Sequence, residues 1–414
     1  MRNISYFCTV KCSRYIPIAV IACSIMLIFS NIRAYAQGKL SFADTDSVRI
    51  SLLTCAPGTE VYSLYGHTAV RYTDYGKNID VAINYGVFSF NKPFFVLRFI
   101  FGITDYEMGI VPFDYFCDEY RSEGRWVYQQ ELNLTNEEKA EMRRAFDNNF
   151  LPENRTYRYN YFYDNCTTRP RDIIIDNIKG AVVFPDAKEE YPSYRELVHS
   201  MNGNAPWARF GNDLLLGVKS DKKTDLQEQQ FLPLRLMEDF EHAKIKSPDG
   251  TTRPLVIKSS YIIPAGAQEH NSGFPLSPSA CAWIIFALVI IISAFELITK
   301  RKLWPFDTLL LILDGCVGII IFLMFFSEHP TTSTNLQILL FNPLPLFFAY
   351  GVAKRAIKKR YEPLWKYAAC MLVMFLIGGF FQSYAEGMYI LALSLLIRCV
   401  WNIVYQNRFL PGKR

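Results

Sequence analysis

A thiolate is an intrinsically strong nucleophile, and one cysteine of this chain sits where its thiol would be activated. Residues 161–172 read Tyr-Phe-Tyr-Asp-Asn-Cys-Thr-Thr-Arg-Pro-Arg-Asp. Aromatic, extended-looking residues run into a polar turn. After Cys166 comes a segment with Pro170 in its first turn and Ile173, Ile174 and Ile178 spaced for one helical face. Cys166 is therefore expected at a strand-to-helix junction. Unpaired backbone N–H groups at a helix N-terminus favour thiolate over thiol, and Arg169 and Arg171 add positive charge. The chemistry this points to is attack on an acyl carbonyl. The same position also suits a small buried residue under an aromatic strand, or half of a disulfide.

A thiol attacking a carbonyl needs a base that takes its proton and returns it to the leaving group. Of His67, His199, His242 and His270, only His67 heads a strand behind a glycine in an aromatic context. It is the candidate base. A third group that fixes the imidazole tautomer is expected on the neighbouring strand, where Asn84 is the first choice and Asp80 the second. Either could be plain hairpin chemistry instead. Arg71, Tyr163, Asn165, Arg169 and Arg171, close to these residues in sequence, are the candidates for binding substrate. The chain contains no CxxC and no Cys/His cluster with zinc spacing, so neither a metal nor a cofactor is expected.

The elements that must position these groups read as follows. Residues 48–54 form a strand, 56–59 a turn into a short helical piece ending near Leu64, and 66–72 a second strand that starts at the histidine. Tyr75-Gly76-Lys77-Asn78 is turn chemistry, and 80–85 pairs back as a hairpin. A strand over 126–134 leads to Thr135 with Glu138 three residues on, a capping box that opens a helix to about Asn149. Residues 157–163 return to the sheet and deliver Cys166. The expected domain is α+β with a largely antiparallel sheet, covered and tied to the membrane by a tail over 192–275.

Composition sets the compartment. Half of the 414 residues are apolar and 15% are aromatic, and the excess is concentrated at the two ends. Residues 1–36 carry Arg2, Lys11 and Arg14, an apolar run over 16–29, and Ala34-Tyr35-Ala36 as a small-x-small cleavage signal. This reads as an export signal, with an uncleaved anchor helix as the alternative. Beyond Ser279, five apolar runs, 280–298, 306–326, 336–352, 364–381 and 388–405, are long enough to cross a bilayer as helices. Lys and Arg follow the first, third and fifth runs and are missing from 327–335 and 382–387. By the positive-inside rule, residues 37–275 then lie on the outer face of the inner membrane and 276–414 form the membrane domain. The net charge of +5 is explained by these flanking cations and needs no nucleic-acid partner. Of the ten cysteines only Cys55, Cys117 and Cys166 fall in the exported domain, and Cys55 with Cys117 is the pair expected to bridge.

Tyr-Gly-His-Thr-Ala-Val-Arg at 65–71, Asn-Tyr-Gly-Val-Phe at 84–88 and Tyr-Asp-Asn-Cys-Thr-Thr-Arg-Pro-Arg-Asp at 163–172 precede a multi-span tail that contains Glu328-His329-Pro330-Thr331 and Asn342-Pro343. Over nearly its whole length the chain resembles the Lnb-type lipoprotein N-acyltransferases of Bacteroidota. The resemblance implies a permuted papain-like (NlpC/P60-like) exported domain, in which the histidine precedes the cysteine, followed by an all-α domain of five transmembrane helices. It also implies a reaction. An acyl chain moves from a membrane phospholipid to Cys166, with His67 as base, and on to the α-amino group of a diacylglyceryl-cysteine lipoprotein.

The residues leave two other classes open: a membrane-anchored cell-wall amidase or peptidase with the same Cys-His pair, and a receptor in which Cys166 is merely bridged. The apolar run over 93–101 reads either as a segment dipping into the outer leaflet, with Arg98 near phosphate groups, or as a helix buried in the protein. Asp314 and Arg398 fall about halfway along the second and fifth runs and are expected to pair.

Overall fold

The computed structural model describes residues 46–410 except 90–92, 185–189, 269–272 and 330. The export signal expected over 1–36 lies outside the described residues.

Strand β1 (Val48–Cys55), β2 (His67–Asp74) and β3 (Ile79–Val87) form an antiparallel meander. Seven of the eight β1 positions are buried and only Arg49 is exposed, so this strand is central. The sequence between Cys55 and His67 forms turns and no helix. Helix α1 (Phe95–Ile100), strand β4 (Asp105–Pro112) and helix α2 (Phe113–Ser122) follow. Strand β5 (Val127–Leu132) leads into helix α3 (Asn136–Phe150), which opens with the expected Thr135/Glu138 capping box. Strand β6 is short (Thr156–Arg158), because the Asn160 side-chain oxygen accepts from the N–H groups of Phe162 and Tyr163 and curls the chain out of the sheet. Helix α4 (Thr168–Asp176) then begins just after Cys166.

The region expected as a tail is more structured than its composition indicates. After β7 (Ala181–Val183) it holds helices α5 (Tyr194–Met201), α6 (Pro206–Leu215), α7 (Leu226–Gln229) and α8 (Pro233–His242). Strands β8 (Lys244–Lys246) and β9 (Thr252–Pro254) pair with β7 in a small second sheet. Strand β10 (Val256–Ile263) closes the main sheet, whose order is β10-β5-β1-β2-β3-β4-β6 with every pairing antiparallel. One face packs Ile50, Leu52, Val70 and Ile83 against α3, α4 and α8. The other packs Leu53, Ala69 and Ala82 against α2.

Cys55 and Cys117 share that second cluster as free thiols, so the expected bridge is not formed. Burial pushes both thiols up, and Cys55 hydrogen-bonds the Tyr120 hydroxyl instead.

Among the described residues, four helical stretches are long and apolar enough to cross a membrane: α9 (Pro278–Thr299), α10 (Trp304–Met324), Leu336–Ile357 and α13 (Met388–Phe409). The third is broken at Asn342-Pro343, and its longer part is α11 (Leu344–Ile357). Helix α12 (Leu364–Gly378) is apolar but shorter, at 15 residues.

Arg398 does not pair with Asp314. It is buried on α13, where its Nη2 lies 2.7 Å from Asp307 Oδ1 and its Nη1 3.1 Å from Glu296 Oε2, with Ser293 Oγ accepting a further bond. Counting residues along a span measures depth and says nothing about which face a side chain takes. Helix α13 packs on α9, and that presents Glu296 to Arg398. Asp314 accepts from the Asn342 backbone N–H and leaves one buried carboxylate oxygen without a partner.

Candidate active site

Two turns bring the catalytic candidates to one end of the sheet. Asn165 builds the first. Its side-chain oxygen accepts from the N–H groups of Thr167 (2.7 Å) and Thr168 (2.9 Å), the cap that Thr167 does not supply. Its amide donates to the Tyr161 and Phe231 carbonyls, 2.9 Å each. Every polar atom of this buried side chain is thus spent on holding the turn, and Cys166 is fixed one residue before the helix cap. Asn165 therefore anchors the nucleophile candidate where a substrate ligand was expected.

Gly86 permits the second approach. Its φ of +88° is a region side chains rarely adopt, and a Cβ there would stand 3.3 Å from the Tyr159 ring and 3.6 Å from Cys166 Cβ. The Cys166 turn therefore rests against β3 where β3 carries no side chain.

Ala69 on β2 lies opposite Asn84 on β3, so His67, two residues before Ala69, shares a face with Asn84 as its diagonal neighbour. The His67 Nε2 to Asn84 Oδ1 distance is 3.0 Å. With Nε2 committed to the amide oxygen, the other ring nitrogen is left for the thiol, and His67 and Cys166 are hydrogen-bonded. Burial alone would raise the Cys166 thiol. The charge and hydrogen bond of His67, the Thr68 backbone N–H and the Thr167 hydroxyl outweigh it and hold the thiol below its ordinary value. Burial likewise disfavours the imidazolium, yet the thiolate and Asn84 hold His67 above its ordinary value. The two opposite shifts share one cause, each group favouring the charged form of the other.

Asp80, the second choice for the third member, is bound to Arg71 through two contacts of 2.8 and 2.6 Å. That pair also explains Arg71, whose guanidinium lies 3.6 Å above the Phe113 ring. Arg169 is held by Asp164 and stacked 3.5 Å over Tyr157, and Arg171 bonds Asp172 and the Gln227 carbonyl. Tyr163 is exposed. None of these four lines the cavity at the thiol, while Asn165 does. Sequence reasoning missed Tyr159, whose hydroxyl hydrogen-bonds Cys166 and whose phenol is kept protonated first by burial and then by the thiolate. The only sign of it in the sequence is the run of alternate tyrosines 157, 159, 161 and 163.

Cys166 and His67 open into a cavity of about 490 Å³. Its walls are aromatic and apolar, with Tyr85, Phe88, Phe95, Tyr106 and Phe231 among them. The far wall comes from the membrane domain, as Met324, His329, Thr331 and Thr332. That wall is hydrogen-bonded to the periplasmic domain. Gly217 N–H donates to the Thr331 carbonyl, Gln337 to the Asp213 carbonyl and Gln382 to the Leu216 carbonyl. A Cβ at Gly217 would come to 2.1 Å from the Thr334 carbonyl oxygen, so only glycine allows this contact. Helix α1 rims the same cavity and has no buried residue, with Phe94, Val96, Leu97 and Phe99 all exposed. The helix is thus not buried in the domain core; it lies against the membrane domain, where Phe99 meets the His329 ring and the Phe101 carbonyl accepts from Glu328 N–H. Arg98 is occupied by Asp105 at 2.6 Å.

Two family models match the chain: residues 35–200 match the Lnb N-terminal periplasmic domain and residues 268–408 the Lnb transmembrane domain. The chain belongs to the Lnb family. It is accordingly a membrane protein with a periplasmic, sheet-rich α+β domain and a helical membrane domain, an enzyme of the Lnb type. No curated protein and no solved structure matches it significantly. Within this Lnb chain, Cys166, His67 and Asn84 all fall inside the matched periplasmic domain.

The hydrogen bond from His67 to Asn84 has a measurable consequence. Asn84→Ala removes the acceptor that favours imidazolium, which lets the thiol pKa rise. The pH at which alkylation of Cys166 by iodoacetamide reaches half its maximum should move upward, and labelling at neutral pH should fall roughly tenfold. His67→Ala should shift the profile further in the same direction. Asp80→Asn should leave it in place, and a shift with Asp80→Asn but not with Asn84→Ala would reverse the assignment.

Proposed function

We propose that the protein is a lipoprotein N-acyltransferase. The Cys166 thiolate attacks an ester carbonyl of a membrane phospholipid, and the ester C–O bond breaks. His67 gives its proton to the departing lysophospholipid oxygen, leaving a Cys166 thioester. The α-amino group of a diacylglyceryl-cysteine lipoprotein then attacks the thioester, His67 takes the amine proton, and the thiolate is released. Asn84 orients the imidazole, and the Tyr159 hydroxyl, hydrogen-bonded to Cys166, is the donor offered to the oxyanion formed in both steps. Neither step needs a metal or cofactor.

The observation that carries this reading is the cavity, because its aromatic walls run from the thiol to the membrane domain. An acyl chain gains free energy by entering such walls, whereas the polar peptide stem of an amidase substrate would lose its hydration there. The exposed apolar face of α1 supports the same reading, as a segment at the level of the outer leaflet. The finer architecture goes with it: an export signal over 1–36, a permuted papain-like domain over 37–275, and a domain over 276–414 of five helices crossing the inner membrane, with α12 as the short fourth.

The test is direct. Purified protein in phospholipid vesicles should convert a synthetic diacylglyceryl-cysteine peptide to its N-acylated form, seen in mass spectra as the gain of one acyl chain. Lysophospholipid should appear in equal amount. Hydrolysis of a cell-wall peptide with no acylation of the lipopeptide would replace this reading by the amidase.

A further inference from the structure

The end of the helix bundle away from the periplasmic domain has a cavity of its own, of about 410 Å³. Five cations line it, Lys300, Arg301 and Lys302 from the α9–α10 connection and Lys359 and Arg360 from the α11–α12 connection. Two carboxylates line it as well. Asp307 is bound to Lys302 and Arg398, and Glu362 to Arg355. Lys300, Arg301, Lys359 and Arg360 make no ion pair among the described residues.

Orientation in the membrane accounts for cations on these loops, but not for two loops delivering them into one cavity with a buried polar floor, Asn402 and Gln406. Lys300 (φ +59°) and Lys359 (φ +53°) close helices α9 and α11 with left-handed caps, and each cap turns its chain into the connection that lines the cavity.

We propose that this cavity binds the phosphate group of an anionic glycerophospholipid of the cytoplasmic leaflet. Four unpaired cations on two sides meet a phosphate as charge-assisted donors, and Arg301 and Arg360 can do so through two N–H groups each. The lining also holds Trp304, Trp365, Tyr405 and Leu410, surfaces for a glycerol backbone and the first carbons of its chains. A soluble phosphate ester shares the phosphate chemistry but has no use for these apolar walls. The site is separate from the Cys166 cavity, so it stands or falls independently of the acyl-transfer reading.

Full-length protein in nanodiscs of equal phosphatidylglycerol and phosphatidylcholine, released and weighed by native mass spectrometry, tests this. The wild type should retain phosphatidylglycerol over phosphatidylcholine by roughly tenfold. R301Q/R360Q should lose that preference. K358Q/R408Q, which removes the same charge from the same end of the bundle but outside the cavity, should keep it. The single variants R301Q and R360Q, each expected to lose part of the preference, decide the matter if the double variant does not fold. No preference in the wild type, or equal loss in both double variants, overturns the proposal. Displacement of the lipid by millimolar glycerol phosphate assigns the cavity to a soluble ester and overturns the lipid.

Discussion

Cys166→Ala should abolish acyl transfer, by roughly 10⁴-fold or more, while the protein stays folded and in the membrane. The expectation is large because the thiol is the covalent carrier: without it neither half of the reaction has an intermediate. Folding should survive because Cys166 is small and half-buried and the turn around it is built by Asn165, whose five hydrogen bonds do not involve the thiol. Cys166→Ser is the more informative variant. It keeps the size and places a hydroxyl beside His67, but an alcohol is a far weaker acid than a thiol, so His67 cannot activate it as it does the thiol. Acyl transfer to the lipopeptide, release of lysophospholipid and labelling by a thiol-directed acyl probe should all disappear together. Near-wild-type transfer by either variant would show that the acyl chain never rests on this residue.

Arg398→Met should cost about 3–5 kcal/mol of stability, because it leaves Glu296 and Asp307 buried with Lys302 as their remaining cation. Folded yield after detergent extraction and size exclusion should collapse. Adding Glu296→Gln and Asp307→Asn should recover a large part of it, since the stranded charges go with the arginine. Asp314→Asn should behave differently. It keeps an oxygen for the Asn342 N–H and breaks no ion pair, so its yield should stay close to that of the wild type. If Asp314→Asn were as damaging as Arg398→Met, and the triple variant no better than the single, the charge cluster at Glu296 and Asp307 would not be what holds these helices.

Local signals were legible in the sequence wherever chemistry and local structure coincide. The Thr135/Glu138 box marks α3 because both of its hydrogen bonds close within one turn. The β2–β3 hairpin and the strands around it follow from alternation and turn residues. Cys166 and His67 could be singled out because each stands at the end of an element, where backbone groups are unpaired. The apolar runs beyond Ser279 needed only length and composition.

What only the tertiary structure decided is which faces meet. The polar atoms of Asn165, read as a substrate ligand, are all taken up by the turn, because Phe231, 66 residues later in the chain, supplies a carbonyl. Strand β10 and helices α5 to α8 were hidden in a region rich in proline, glycine and charge, since an edge strand and short amphipathic helices gain their stability from the sheet they cover. The partner of Arg398 was decided by the packing of α13 on α9, a rotation about the helix axis that composition does not encode. The cavity belongs to neither domain alone. It exists because Gly217 lets the periplasmic backbone close on the Thr331 and Thr334 carbonyls, and a contact between residues more than a hundred positions apart leaves no periodic trace in the sequence.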